Sequence, residues 1–174
     1  AQVCGLPGHQ GLVTTASLAP NTYYAGTGTP GAGTSAITLA TGTNATRGVA
    51  TNLLAGDLVL IIQMQDSSGS LEGNYEYAVV TVGGGVGATI QLGAPLANSY
   101  AQSVSAGTIR TFQVVRVPQY SAATISGTIN VLPWYVDPVT GFGTGGVYAV
   151  DVAGALTMNG VTINANGKGF RGGR

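Results

Sequence analysis

The chain has 174 residues, 44% of them hydrophobic, which is enough for one domain or two small ones with a real core. Only 7% are charged, six basic against six acidic for a net charge of zero, where an average soluble protein has roughly a quarter. That balance excludes the electrostatic footprint needed for nucleic acid or an anionic membrane, and the supply of Val, Ile and Leu argues against disorder.

Residues 1–34 are expected to form an extended N-terminal arm, dense in Gly, Pro, Thr and Ser. Within it, Gln10 to Ala19 alternates well enough for a strand, with Leu12 and Leu18 on one face and Val13 on the other. Cys4 is the single cysteine, so no intrachain disulfide forms. A free thiol is expected there, with an intermolecular bridge as the sharper alternative. Ala1-Gln2 fits a mature start after a small-residue cleavage site. Gly26-Thr27-Gly28-Thr29-Pro30-Gly31 matches the dinucleotide fingerprint letter for letter. That fingerprint needs a helix starting within it and an acid about 20 residues on. Coil and then a strand follow, and the next acid is Asp57. It reads as a loop.

Residues 35–118 read as a compact β-sandwich or barrel module. Ser35 to Thr41 is its first strand, and Asn44-Ala45-Thr46 is a glycosylation sequon of the kind that often arises by chance. The apolar run from Leu58 to Met64 has strand length and many β-branched residues, so it predicts a strand buried on both faces with Ile61 at its centre. The unbroken part of that run is far short of the ~20 residues of a membrane helix. A Ser/Gly loop from Asp66 to Asn74 follows, then strands over Tyr75 to Val82, Ala88 to Leu92 and Ile109 to Val117, with Pro118 ending the last ladder. Short strands with Gly-rich turns, and no long window with a helical period, predict an all-β fold.

Residues 119–174 read as β-solenoid-like coils. Thr124-Ile125-Ser126-Gly127-Thr128-Ile129-Asn130 nearly repeats as Thr157-Met158-Asn159-Gly160-Val161-Thr162-Ile163-Asn164. Two such copies predict stacked coils with Ile125, Ile129, Met158 and Ile163 in one shared core. About three repeats are normally needed for stability, so the two visible ones predict an uncapped end near Gly160–Phe170. Trp134 and Tyr135 lie between the copies and are expected to plug a seam.

The residues of chemistry are sparse. His9 is the only histidine, and with Cys4 it leaves a zinc site two ligands short. Of the six carboxylates, Glu72 with Glu76, or Asp66 with Glu72, are the pairs a glycosidase would need, and nothing specific supports them. A Ca2+ loop over Asp66 to Glu72 lacks alternating acids. Asp57 reads as a turn residue accepting backbone N–H bonds. Asp151, in an apolar strand, calls for a corner hydrogen bond or a partner such as Arg110, Arg116 or Arg171. No catalytic residue, metal ligand or cofactor is assigned.

An ordered set of motifs adds to this. It comprises Asn21-Thr22-Tyr23-Tyr24, Gly56–Gln65 (GDLVLIIQMQ), Tyr75-Glu76-Tyr77, Phe112–Tyr120 (FQVVRVPQY), Leu132-Pro133-Trp134, Gly145–Gly154 (GGVYAVDVAG) and Gly167–Gly173 (GKGFRGG). The series resembles the N-terminal region of long, exported bacterial surface proteins, and it spans nearly the whole chain from Cys4. The resemblance implies export and a cell-surface or extracellular role, with no established catalytic residues. Members of that family run on past the G-F-R-G-G motif, so a processed or short form is expected here.

Together these features predict a secreted structural or adhesive surface protein, self-assembling into a filament or surface layer and not an enzyme. Cys4, Leu12, Val13, Leu18 and Phe170 are the candidate assembly residues. Almost no Lys blunts the strand edges, so the arm is expected to add head-to-tail to another copy or to cover the uncapped end, against the alternative that it folds back on its own chain. The competing expectation is a carbohydrate-binding or polysaccharide-active solenoid whose partner is a surface glycan.

Overall fold

The computed structural model describes residues 5–15, 20–105 and 107–170. Those residues form an all-β fold with no helix. The first strand is β1 (Leu12–Thr15). One antiparallel sheet is then built by β2 (Thr22–Ala25), β3 (Ala36–Thr38), β4 (Thr46–Gly48), β5 (Leu58–Asp66), β6 (Tyr75–Val82), β7 (Thr89–Leu92), β8 (Ser103–Ser105) and β9 (Thr108–Val117). Short pieces follow: β10 (Gln119–Tyr120), β11 (Ala122–Ile125), β12 (Ile129–Asn130), β13 (Tyr135–Val136), β14 (Gly143–Thr144), β15 (Asp151–Val152), β16 (Leu156–Met158) and β17 (Ile163–Asn164).

The eight-stranded sheet has the order β3-β7-β6-β5-β9-β2-β4, with β8 added beside the start of β9, and it curls into a half-barrel. β5 and β9 are its centre, paired from Leu58↔Val117 to Asp66↔Arg110 with a bulge between Gln63 and Gln65. Because side chains alternate along a strand, the apolar run of β5 supplies two cores. Val59 and Ile61 face a large cluster with Tyr24, Ile37, Val80, Ile90, Phe112 and Val114. Leu58 and Leu60 face a smaller cluster on the opposite side, with Tyr23, Val115 and Val117. Ile61 is fully buried.

The sheet reaches further back than the sequence suggests. Thr22–Ala25, expected in the arm, lies inside the sheet between β9 and β4 and is buried along its whole length. Its apolar aromatics, Tyr23 and Tyr24, serve one core each, so the Gly- and Thr-rich surroundings masked a strand with two buried faces.

Each face of the sheet has its own cover, held by a polar side chain buried among apolar ones. On the first face, the Gln63 amide donates to Ala101 O and accepts from Ala101 N, both at 2.9 Å. Glu76 accepts from the N–H groups of Ala97 and Asn98 and from the Tyr100 hydroxyl. Tyr100 then fills the interior beside Phe112, with ring centroids 5.8 Å apart. On the second face the segment from Gly143 to Ala149, whose last three residues the sequence places in the apolar strand around Asp151, runs over β2 and β9. Gln113 clasps Gly145, the Tyr23 hydroxyl donates to Val147 O, and Asn21 clasps Ala149. Val147 and Ala149 complete the smaller core.

Apart from the antiparallel β13–β14 pair, the remaining strands pair in parallel, one above another. β11 sits between β1 and β16, β10 pairs with β15, and β12 pairs with β17. Three levels result, one more than the two visible repeats. The added level is the arm itself. β1 pairs with β11 of its own chain from Leu12↔Ala122 to Thr15↔Ile125, and Gln10 and Gly11 lock the junction through bonds with Gln119 and Ser121. An intrachain partner is always at high effective concentration, which is why the fold-back takes precedence over a free arm. Leu12 is 70% exposed, whereas Val13 packs against Tyr120, Ile125 and Ile129. Cys4 and Leu18 lie outside the described residues.

The two repeats stand in the expected register, Ile125↔Met158 and Ile129↔Ile163, but they do not share one core. Ile125 and Ile129 are 2% and 1% exposed, while Met158 and Ile163 are 40% and 45% exposed. The cause is position. The middle level is covered from both sides and the last from one.

Candidate functional site

Two surfaces stand out once the strands are in place. The first is the outer side of the last parallel level. Leu156, Met158 and Ile163 are all substantially exposed there, and beyond β16 no further strand follows among the described residues. Identical positions one level down are core, and a Thr column (Thr14, Thr124, Thr157) and an Asn pair (Asn130, Asn164) continue the match. Parallel strands lie about 4.8 Å apart, so one more level would meet these apolar side chains as β16 meets β11.

The second surface surrounds Arg47 on β4. β13 and β14 form a small antiparallel pair, Tyr135↔Thr144, whose turn is held by Asp137. That carboxylate accepts from Val139 N, Thr140 N and the Asn44 amide. The Asn44 amide, together with the backbone N–H groups of Thr140 and Val139, holds its carboxyl pKa down at about 2. The Asn44 side chain of the sequon is thus engaged with Asp137. Arg47 reaches the same region, donating from Nη1 to Pro133 O at 3.2 Å and to Thr144 O at 3.0 Å. Its guanidinium carbon stands 5.1 Å from the centroid of the Tyr135 ring. Burial pushes the Arg47 pKa down, partly offset by Tyr135 and Tyr23. Trp134 packs its ring over Gly143 of β14. Its N–H donates to Lys168 O, and Phe170 meets it edge-on with ring centroids 6.4 Å apart.

Close by, a cavity of about 260 Å3 opens between β2, β4 and the coils, lined by Asn21, Tyr23, Gly48, Val49, Asn130, Val131, Leu132 and Tyr148. Its walls carry no charged group. Burial raises the Tyr148 pKa and lifts that of Tyr23 to about 12, so both phenols stay neutral donors.

The carboxylates are engaged by the fold. Asp57 holds Arg116 through two bonds of 2.9 Å and accepts from Leu54 N, so the expected turn role is joined by an ion pair. Asp66 accepts from Ser68, Ser70 and Leu71 and from Arg110 Nε at 3.0 Å. Burial raises its pKa, but the Ser68 hydroxyl and N–H, then Arg110 and Ser70, overcome that and hold it at about 2. The oxygens that a Ca2+ loop or a glycosidase pair with Glu72 would use are therefore already bonded, and Glu76 is bonded to the cover of the first face. Asp151 accepts from the Gln119 amide at 2.9 Å. This is the hydrogen-bond alternative and not an Arg partner: Arg110 and Arg116 are taken, and Arg171 lies outside the described residues. His9 is exposed, bridged to Tyr120 through its backbone. Among the described residues, no group of three or more His, Cys, Asp or Glu is placed to hold a metal ion.

Of the five candidate assembly residues, Phe170 lies beside Trp134, and Leu12 and Val13 lie in the first level. The three described ones are not brought together. Sequence reasoning missed Arg47, Asn21 and Gln113. The available signal was the amide at position 113, a polar residue inside an apolar strand.

No family model and no curated protein matches the sequence. Among solved structures, the chain is similar to the tailspike protein gp49 from Pseudomonas phage LKA1, with 16% identity and a TM-score of 0.33. The match covers 69% of this chain and 23% of that one, so the chain spans about a quarter of the tailspike's length.

Proposed function

We propose that this chain is an extracellular structural or adhesive surface protein whose β-solenoid-like coils stack onto a further copy. The observation that carries this reading is the register of the last level. Met158 and Ile163 lie directly over buried Ile125 and Ile129, yet they are open to solvent. Covering a large apolar side chain contributes about 1.5–3 kcal/mol, and exposed apolar patches of this kind commonly mark interaction sites. Because the β1 and β16 ends of the stack differ, the contact is head-to-tail and generates a ring or a filament. Export and surface location rest on the resemblance to long exported surface proteins. In this reading the sheet is the rigid base and the coils, which take in β1 of the arm, are the stacking element.

Light scattering across a concentration series, with negative-stain microscopy, tests this. The wild type is expected to grow into larger species with concentration, and the double variant Met158→Lys, Ile163→Lys to remain monomeric with an unchanged unfolding midpoint. A wild type that stays monomeric at high micromolar concentration would overturn the proposal.

A further inference from the structure

Arg47 and Arg116 use the same side chain in two ways. Arg116 turns the edge formed by Nε and Nη2 onto Asp57, with both nitrogens 2.9 Å from a carboxylate oxygen. This is the two-pronged fit of a guanidinium to a carboxylate. Arg47 instead commits Nη1 to the carbonyls of Pro133 and Thr144, and its Nε and Nη2 have no partner among the described residues. Neither nitrogen is among the buried polar atoms that lack a partner, so this edge meets solvent. The ion pairs among the described residues are Arg110–Asp66 and Arg116–Asp57, which leaves the Arg47 charge uncompensated by any acid. One side of the guanidinium is anchored and the side suited to a carboxylate is open.

The surroundings of that open edge narrow the ligand. Tyr135, 38% exposed, lies against the guanidinium. Aromatic side chains with an apolar body and a polar tip suit ligands that are partly apolar and partly polar, as the C–H face of a pyranose is. A bare anion would use the charge and leave the ring idle. A neutral sugar would use the ring and leave the fork idle.

We propose that Arg47 and Tyr135 form a binding site for a carboxylated sugar, the uronic acid unit of an acidic polysaccharide, with its carboxylate on the Nε/Nη2 edge of Arg47 and its ring against that of Tyr135. Arg47 is pre-positioned by its two main-chain bonds, so little side-chain ordering remains to be done on binding. Neither β16 nor β17 takes part. The site is therefore independent of stacking, and its test reads sugar binding and not particle size.

Isothermal titration with the trimer of galacturonic acid is the test, with maltotriose as the neutral control and acetate as the ion control. The wild type is expected to bind the trimer saturably, more weakly as salt rises, and to bind neither control at comparable concentration. Arg47→Lys keeps the charge and loses the fork, and Tyr135→Ala removes the ring from an exposed position. Each is expected to weaken binding by about tenfold, the equivalent of one lost charged hydrogen bond or stacking contact, with the unfolding midpoint of Tyr135→Ala unchanged. No saturable titration of the wild type overturns the site. So does equal affinity for maltotriose or acetate, or a Tyr135→Ala variant that is folded and binds as the wild type does.

Discussion

Gln113 meets Gly145 as one strand meets another. Its Nε2 donates to Gly145 O and its Oε1 accepts from Gly145 N, both at 2.9 Å and both buried. A single primary amide thereby satisfies the donor and the acceptor of a buried peptide. Asn21 does the same for Ala149, and Gln63 for Ala101. The device solves a particular problem. The covering segments cross the face of a sheet, where no neighbouring backbone is available, yet their polar groups leave water. Gly145 is also the residue that the geometry requires. Its φ is +93°, and an added Cβ would lie 2.5 Å from Pro133 O.

Gln113→Leu should therefore cost more than an ordinary buried substitution. It leaves the N–H and C=O of Gly145 buried and unpaired, at about 1–3 kcal/mol each, so a loss of about 2–5 kcal/mol is expected. Urea unfolding measures it. A loss below about 0.5 kcal/mol, the range of surface substitutions, would mean that water replaces the amide.

The parallel levels should differ in how much each isoleucine matters, although their sequences nearly repeat. Ile129→Ala opens a cavity in the middle level and should destabilise by about 2–5 kcal/mol. Ile163→Ala, in the same register but half in solvent, should cost about 1 kcal/mol or less in the monomer. Equal losses would show that the last level is covered in solution.

Much of this fold was legible in the chain because its strands are marked by apolar content. Tyr75–Val82 begins and ends where the sequence places it, and the Leu58–Met64 run is the sheet's centre. The register of the repeats was also readable, since period-two alternation around a Gly turn fixes which residues align. What was hidden depends on long-range cover. Nothing local distinguishes Ile163 from Ile129, because burial there is set by how many levels lie above. Val147 to Ala149 reads as part of an apolar strand, but the bonds of Gly145 and Ala149 go to side chains over 30 residues away in sequence, on Gln113 and Asn21, and not to a neighbouring strand. Arg47 was equally silent, since its two acceptors are carbonyls that any residue type supplies.

Acid should weaken the fold over a defined range. Asp66 and Asp137 both have native pKa values of about 2, below the ~3.9 of an unfolded aspartate. Depressed carboxylates stabilise the native state above the unfolded pKa, and that contribution fades as pH falls from about 4 through about 2. Thermal midpoints should thus be level from neutrality to about pH 5 and fall below it. Asp66→Asn and Asp137→Asn should each flatten the fall. An unchanged slope in both variants would assign the acid sensitivity to other groups.

Backbone exchange along the covering segment gives the last test, because only some of its N–H groups are bonded. The N–H groups of Gly145 and Ala149 donate to Gln113 and Asn21, and that of Gly146 to Leu132 O. Those of Val147 and Tyr148 have no acceptor among the described residues. Hydrogen exchange followed by NMR should find the first three slow and the last two fast, since protection follows the local opening of bonded amides. Asn21→Ala should then speed Ala149 selectively while Gly145 stays protected by its own amide partner. If Gly145 and Ala149 accelerate together, the segment lifts off as one unit and the separate clasps do not act independently.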